Sequence, residues 1–343
     1  MSSASRRASV PWQTILIALL TVALVAVFLR SIDLREAWRA TLAAHAGWIA
    51  AAVAVTLQTY VLRAWRWQSL LGPIGGARFR TAFRTMIIGF AASFLLPARV
   101  GEILRPYLLA RQEKLDPAAA FATVIVERLL DLCTVLLLFA LALFFAGVDV
   151  GREIEAAGLV AAGVSVVGLG GLFLLAGHPE RLGRWAGRLA RHLPERAGKL
   201  VSHLVRTFAE GLKVMRSPSH LAVAMGWSVP LWLSIALGIL FVSWAFDLTI
   251  SFVGSFLVVG YLAVGVAAPT PGAAGGFHYM YLAAMTQFFR APADAAGAAA
   301  VVLHLVSFVP VTLLGLFFMW QDGLTLGGLK RMKTQAQGEI DQV

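Results

Sequence analysis

Three ionisable residues lie within one short stretch of an otherwise apolar run, "VIVERLLDL". Glu127 and Asp131 are four positions apart and share one helical face, whereas Arg128 points about 100° away. Ionisable groups inside a membrane are costly and are expected to pair or to face a water-filled cavity. We therefore expect the two acids to pair with a cation from elsewhere in the chain. A purely structural ion-pair network is the alternative.

A second group of charges interrupts the apolar stretch "GFAASFLLPARVGEILRPYLL", residues 89–109. Pro97 breaks the helix because it lacks a backbone donor, and Gly101 suits the turn that follows. Arg99, Glu102 and Arg105 then lie on one broad helical face. The two arginines are the candidate partners of the acids in "VERLLDL", and Glu102 is available to the arginine there.

A third stretch, "APTPGAAGGF", breaks a later apolar run in the same way. Pro269 and Pro271 mark the break, and the glycines after them favour tight turns and close backbone approach. His278 follows these glycines directly. His304 stands where the first half has the first acid of "VERLLDL", and an unperturbed histidine titrates near neutrality. Packing is the alternative role for both histidines.

The elements that position these residues are membrane helices. The chain is 59% hydrophobic and 14% charged, and its mean hydropathy of +0.78 lies far above the soluble globular range. Glu127 would lie about 14 Å into its helix, close to the bilayer midplane. Apolar windows long enough to cross a core of about 30 Å occur at residues 11–29, 46–63, 118–146, 156–177, 219–246 and 295–320. The first window is interpreted as a retained helix rather than a signal peptide.

The two halves of the chain carry an internal repeat. "GWIAAAVAVTLQTYVLRAW" from Gly47 resembles "GWSVPLWLSIALGILFVSW" from Gly226, and the two breaks are related by a similar offset. Loop charges orient the two copies oppositely. Interrupted segments at corresponding positions of inverted repeats are typical of a transporter's midplane site. Each broken segment is predicted to begin and end on one side as a re-entrant hairpin. Two ordinary spans with proline kinks are the alternative.

The predicted fold is an all-α polytopic membrane protein with about six full spans. Its single membrane domain, residues 1–343, contains two inverted repeats, each with one re-entrant helical hairpin. The first repeat is expected at about 46–146 with its hairpin at 85–109, a basic amphipathic segment at 178–218, and the second repeat at 219–320 with its hairpin at 253–289.

The net charge of +11 follows membrane topology and does not indicate nucleic-acid binding. The basic blocks place both termini in the cytoplasm of a bacterial inner membrane; Arg63, Arg66, Arg78, Arg80 and Arg84 form one such block, without an acid. In the amphipathic segment, a stripe of arginines suits anionic headgroups of the inner leaflet or the docking of a lipid-biosynthesis enzyme. A solvated linker that only sets topology is the alternative. The sequence is compatible with an oligomer.

Enzymatic and metal-binding motifs are absent from the sequence. It contains no Walker A run, no HExxH, no paired cysteines and no nucleophile elbow, so we expect no cofactor, no metal and no enzyme activity. The single cysteine, Cys133, lies in an apolar run and is expected to pack inertly.

Three ordered motifs, "LLPARVGEILRP", "ERLLDL" and "PTPGAAGGF", resemble the flippase-like transmembrane domain of lysylphosphatidylglycerol synthases and its stand-alone relatives, over about residues 10–325. The resemblance implies a lipid-translocating fold. The full synthases continue into a soluble aminoacyl-transferase domain. Because this chain ends at Val343, transfer of lysine to phosphatidylglycerol is expected to be absent. His278 departs from the family pattern, which more often has an acid there.

The preferred interpretation is a lipid transporter that moves a polar or anionic membrane lipid between leaflets through a cavity between the hairpins. The alternatives are a membrane-embedded transferase acting on a polyprenyl-phosphate or phospholipid, and a non-transporting partner of a lipid-synthesis enzyme. The expected substrate-binding residues are Arg99, Glu102, Arg105, Glu127, Arg128, Asp131, Thr270, Gly272, Gly275, Gly276, His278 and His304, and the expected turn residues are Pro97, Gly101, Pro269 and Pro271.

Overall fold

The computed structural model describes residues 12–96, 100–147, 151–176, 218–268, 270–325, 327–329 and 332. The first half of this part contains α1 (Trp12–Arg30), α2 (Leu34–Ala43), α3 (Ala46–Leu71), α4 (Phe79–Leu95), α5 (Gly101–Glu113), α6 (Pro117–Phe145) and α7 (Gly151–Ala176). The second half contains α8 (Pro218–Ala245), α9 (Gly254–Ala267), α10 (Gly276–Phe289) and α11 (Ala293–Gln321). Short 3-10 turns follow α3 and α9.

Large apolar side chains cover the outside of the long helices. Phe145 of α6, Val167 of α7 and Leu313 of α11 are 71%, 75% and 61% exposed. Such a surface is unfavourable in water but is solvated by lipid tails, while the helices satisfy their own backbone hydrogen bonds. Helices α3, α6, α8 and α11 are long and apolar enough to cross a membrane. The predicted all-α membrane fold is confirmed.

The span count by length and composition is lower than the predicted six. Besides the four long helices, only α1 taken together with α2 passes the same test among the described residues, and a bend of 78° separates the two. The bend arises at Asp33, whose carboxylate accepts the N–H groups of Arg35 (2.8 Å) and Glu36 (3.3 Å) and so begins α2 as a new helix. The described apolar part of α7, Gly158–Gly171, is shorter than a full span.

The two helices that carry the repeated motif, α3 and α8, pack antiparallel along their length. The N–H of His45 at the start of α3 donates to the carbonyl of Ala245 at the end of α8 (2.8 Å). In the middle, the hydroxyls of Thr59 and Ser234 lie 2.8 Å apart. Tryptophan rings meet at both ends of this pair: Trp48 with Trp244 (5.1 Å between centroids), and Trp65 with Trp227 (5.3 Å).

Helices α4 and α5 form the first helical hairpin. Arg78, which precedes α4, donates from Nε to Glu113 Oε1 at the end of α5 (3.1 Å), so the two open ends lie together. Nearer the tip the backbones cross at glycines, since a Cβ on Gly101 would lie 1.7 Å from the carbonyl oxygen of Gly89. Only glycine permits this approach. The break at residues 97–99 lies outside the described part of the chain.

Helices α9 and α10 form the second hairpin on the same plan. A Cβ on Gly254 at the start of α9 would lie 2.9 Å from the ring of Phe289 at the end of α10. The backbones again cross at glycines, where a Cβ on Gly265 would lie 2.5 Å from the carbonyl oxygen of Gly276. These two glycines follow Gly89 and Gly101 by 176 and 175 positions.

Each hairpin packs against the last long helix of the other half. Helix α4 lies on α11, and α9 lies on α6. Glycines again allow the approach: a Cβ on Gly315 of α11 would lie 2.9 Å from the carbonyl oxygen of Ile87, and one on Gly260 of α9 would lie 2.4 Å from the ring of Phe139. The two halves are therefore interleaved rather than adjacent.

The predicted amphipathic segment at 178–218 lies almost entirely outside the described residues, which resume at Pro218. The basic C-terminal positions Lys330, Arg331 and Lys333 also lie outside them.

Candidate functional site

A fully buried arginine holds the two acids of the first repeat together. Arg66 of α3 donates from Nη1 to Asp131 Oδ1 (2.6 Å) and from Nη2 to Glu127 Oε1 (2.8 Å). Its Nη1 also donates to the Oγ of Ser228 in α8 (3.2 Å). The side chains of Arg66 and Glu127 are 0% exposed. One planar guanidinium thus satisfies two carboxylates from successive turns of α6.

Arg105 of α5 joins the network from the first hairpin. Its Nη2 donates to the second carboxylate oxygen of Glu127, and its side chain is almost completely buried. The guanidinium lies 4.2 Å from the centroid of the Trp67 ring, and an aromatic face stabilises a desolvated cation. Trp67 in turn donates from Nε1 to Thr123 Oγ1 (3.0 Å). The first hairpin is therefore fixed to α3 and α6 by charge.

Two further arginines approach the acids at longer range. Arg63 Nη1 lies 3.9 Å from Asp131 Oδ2, and Arg128 Nη1 lies 3.6 Å from the same oxygen. These are ion-pair contacts longer than hydrogen bonds. The other oxygen of Asp131 also accepts from Trp232 Nε1 (3.0 Å). Four guanidinium groups, including those of Arg66 and Arg105, thus surround two carboxylates.

A cavity of about 140 Å³ lies beside this network, between the two hairpins. Its wall from the first repeat includes Gly101, Glu102, Arg105 and Arg128, and its wall from the second repeat includes Ala268, Thr270 and Gly272. Phe94 and Phe308 close one side with rings 4.4 Å apart. The start of α5 and the break after α9 therefore face one shared space.

Thr270 supplies this cavity with a buried hydroxyl. The residue is 8% exposed, and its Oγ1 has no hydrogen-bond partner among the described residues. A buried polar group without a partner is unfavourable by about 1–3 kcal/mol. The Nε of Arg105, on the opposite wall, is likewise buried without a partner in the described part. Both groups belong to residues that line the cavity, and each needs a side-chain rotation to meet a ligand there.

Nine of the twelve predicted substrate-binding residues lie in three places. Glu102, Arg105, Arg128, Thr270 and Gly272 line the cavity, and Glu127 and Asp131 lie behind its wall with Arg66. His278 and His304 lie behind the tip of the second hairpin, where His304 Nε2 is 2.7 Å from the carbonyl oxygen of Gly272.

The remaining predictions concern the hairpin tips. Gly275 packs against α1, since a Cβ there would lie 2.6 Å from Leu24 Cβ, and Gly276 packs against Gly265. Gly101 begins α5 and Pro271 begins the 3-10 turn after α9. Pro97, Arg99 and Pro269 lie outside the described residues, so the expected pairing of Arg99 with the acids stays a prediction.

Arg63 and Arg66 are the network residues that the sequence analysis does not pair with the acids. The apolar window ends at residue 63 and so places both in a basic topology block, but α3 continues to Leu71 and carries them to the acids of α6. Two buried acids on one face of a helix need a cation that contacts both, and this requirement could have directed the search to the arginines at the end of α3. Arg128 is closer to the acids than a helical wheel suggests, because its long side chain extends to Asp131, which lies one turn later on the same helix.

The comparison with protein families agrees with this architecture. No curated protein matches the chain. The family model described as "Lysylphosphatidylglycerol synthase TM region" matches residues 14–315, which covers both hairpins, the charge network and the cavity between them. The chain therefore belongs to the lysylphosphatidylglycerol synthase transmembrane region family.

Proposed function

We propose that the protein is a transporter that moves a polar or anionic lipid between the leaflets of a bacterial inner membrane. The observation that carries the proposal is the cavity that the two hairpins share, with Arg105 and Arg128 on one wall and Thr270 on the other. Interrupted helices of two interleaved halves that meet at a shared cavity are the arrangement in which alternating-access transporters bind their substrates.

The charges favour a headgroup that accepts hydrogen bonds. Arg105 and Arg128 line the cavity with Glu102, and the network to which the two arginines belong contains four guanidinium groups and two carboxylates. Arg128 has the more accessible side chain, at 42% exposed, and its contacts with the acids are long. It is therefore available to bind a phosphate or hydroxyl group, while Arg105 holds the first hairpin to α6 and Arg66 joins α3, α6 and α8.

The same geometry argues against a chemical step as the function. A general base needs a carboxylate within reach of its substrate and available to accept a proton. Glu127 and Asp131 instead accept hydrogen bonds from Arg66 behind the cavity wall, so Glu102 is the carboxylate of this group that lines the cavity. We propose that lipid is moved without being converted, and Glu102→Gln, which removes that candidate base, is expected to yield no change in lipid composition. We also propose, from the basic loop charges, that both termini face the cytoplasm.

Reconstitution into liposomes tests the proposal. The protein is inserted into vesicles with a fluorescent phospholipid, and the fraction of label that an impermeant reductant reaches reports movement between leaflets. Arg128→Met should reduce the rate at least about tenfold, a loss of the size expected when a charge-assisted contact is removed. Arg35→Met on the exposed face of α2 is the matched control and should leave the rate unchanged.

Two outcomes would contradict the proposal. Parent protein that moves no lipid of any headgroup class would exclude transport. Equal rates for the parent and Arg128→Met would exclude this cavity as the path.

A further inference from the structure

Helix α2 has two apolar faces in different surroundings. Leu34, Trp38 and Leu42 recur at every fourth position and are 61%, 63% and 70% exposed. Ala37 and Ala40 lie on another face, where Ala37 is buried and Ala40 packs against the hydrophobic core. The first face is thus open along the helix, whereas the second fixes the helix to the protein.

The charged side chains of α2 occupy a third face. Arg35, Glu36 and Arg39 are exposed, and Arg39 pairs with Glu36. At about 100° per residue, the exposed apolar face, the alanine face and this charged face lie about a third of a turn apart. An exposed apolar face beside a charged one is unfavourable in water alone, but it matches the boundary between lipid and water.

The two ends of α2 place it at one face of the membrane. Helix α1 has 19 residues, a rise of about 28 Å that nearly crosses a core of about 30 Å without α2. Residues 44 and 45 separate α2 from α3, which is long and apolar enough to cross the membrane in turn. Helix α2 therefore joins two membrane helices at one side, and the bend of 78° after α1 turns it away from the direction of a span.

Contacts with α11 hold α2 at this level. The N–H of Asp33, at the start of α2, donates to Asp294 Oδ1 in the first turn of α11 (2.6 Å). Next to it, a Cβ on Gly297 of α11 would lie 2.5 Å from Ile32 Cγ2, so the chain passes close to α11. The bend between α1 and α2 is thus fixed to the end of a third membrane helix.

We propose that α2 lies in the plane of the membrane and binds the lipid of one leaflet at the boundary between headgroups and acyl chains. Leu34, Trp38 and Leu42 insert about 5–10 Å into this boundary, and the charged face remains at the headgroups and water. The inserted helix holds α1 at a fixed depth. Helix α1 in turn backs the tip of the second hairpin, where a Cβ on Gly275 would lie 2.6 Å from Leu24 Cβ. This placement holds independently of lipid movement.

Fluorescence quenching in liposomes tests the position of α2. Leu42→Cys on the apolar face and Arg39→Cys on the charged face, each in a Cys133→Ala background, carry the same fluorophore. The quencher is phosphatidylcholine with a nitroxide at either a shallow or a deep acyl position. Because the insertion depth is about 5–10 Å, quenching at Leu42→Cys should be at least about twofold stronger with the shallow nitroxide than with the deep one. Arg39→Cys should be quenched less than Leu42→Cys by both lipids.

The control is Leu305→Cys in the middle of α11, which is 50% exposed and should be quenched more by the deep nitroxide. Quenching of Leu42→Cys that follows the pattern of Leu305→Cys would show that α2 continues a span. Weak, equal quenching of Leu42→Cys and Arg39→Cys would place the apolar face in water. Weak quenching together with a disulfide between two copies of unlabelled Leu42→Cys would make this face a contact between copies. Each of these three results overturns the proposal.

Discussion

The side chain of Arg66 connects three helices of this fold. It bonds both acids of α6 and a serine of α8, and its removal leaves buried carboxylates with too few partners. We expect Arg66→Met to lower the free energy of unfolding by about 3–5 kcal/mol, the usual effect of breaking a buried ion pair. Unfolding in mixed micelles measures this, with the exposed Arg80→Met as a control near zero. Equal stability of both variants would show that the remaining arginines compensate fully.

Thr270 should behave in the opposite way. Because its hydroxyl is buried without a partner in the described part of the chain, Thr270→Val removes an unsatisfied polar group and keeps the shape of the side chain. We expect stability that is unchanged or higher by up to about 1–3 kcal/mol, and slower lipid movement because a ligand contact is lost. Thr270→Val is therefore expected to slow lipid movement without lowering the free energy of unfolding. A parallel fall in stability and transport would mean that Thr270 supports the hairpin rather than the ligand.

At this scale the sequence predicts the ionisable groups but not all of their partners. Glu127, Asp131 and Arg105 do come together, as expected from charges in apolar segments. Arg66 was not foreseen, because a window of hydropathy cannot tell a loop arginine from one carried inward by a continuing helix. The unpaired state of Thr270 depends on three-dimensional packing, which spacing along the chain does not report.

Each hairpin depends on a crossing of two glycines. A Cβ on Gly101 would lie 1.7 Å from a carbonyl oxygen, whereas one on Gly47 would meet nothing within 4 Å. We expect Gly101→Ala to destabilise the protein by about 1–3 kcal/mol or more, as overpacking does. Gly47→Ala should be neutral or slightly stabilising, because alanine favours helix. Thermal unfolding of the two variants checks this, and similar melting temperatures would show that the first hairpin can spread apart.

The topology of the hairpins is open to a labelling experiment. The open end of each hairpin brings both of its termini together, so cysteines at Arg80 and Arg111 should react with an impermeant reagent from one side of the membrane. Cysteines at Asp247 and Arg290 should react from the other side. All four positions are exposed, and Cys133, the single native cysteine, is replaced by alanine. Opposite sidedness within either pair would show that the segment crosses the membrane.

The sequence located both breaks through proline and glycine, which leave a local signature. It did not reveal the glycine crossings, since Gly89 and Gly265 lie within apolar runs where a glycine has no distinct pattern. The bend between α1 and α2 was also missed, although Asp33 followed by a polar stretch is a recognisable helix start.

For the whole molecule, the α3–α8 pair is the place where the two halves should move least. Thr59 and Ser234 touch near the middle of this antiparallel contact, with hydroxyls 2.8 Å apart. We expect Thr59→Cys with Ser234→Cys, in the Cys133→Ala background, to form a disulfide under oxidation and to move lipid at the parent rate. Loss of transport on oxidation that is regained on reduction would instead show that the halves slide past each other along these helices.

The distance between the tryptophan pairs at the two ends of α3 and α8 indicates the thickness of the bilayer that the protein fits. Trp48 and Trp65 are seventeen residues apart, as are Trp227 and Trp244, a rise of about 26 Å along a helix. Indole rings prefer the headgroup level, so this pair matches a hydrocarbon core slightly thinner than the common value of about 30 Å. A thicker bilayer would have to thin locally or draw one ring pair inward. At one end, Arg66 and Ser228 directly follow the tryptophans and are hydrogen-bonded to each other. A change in the acyl-chain length of the surrounding lipids that moves these rings would therefore also move the buried charges bound to Arg66.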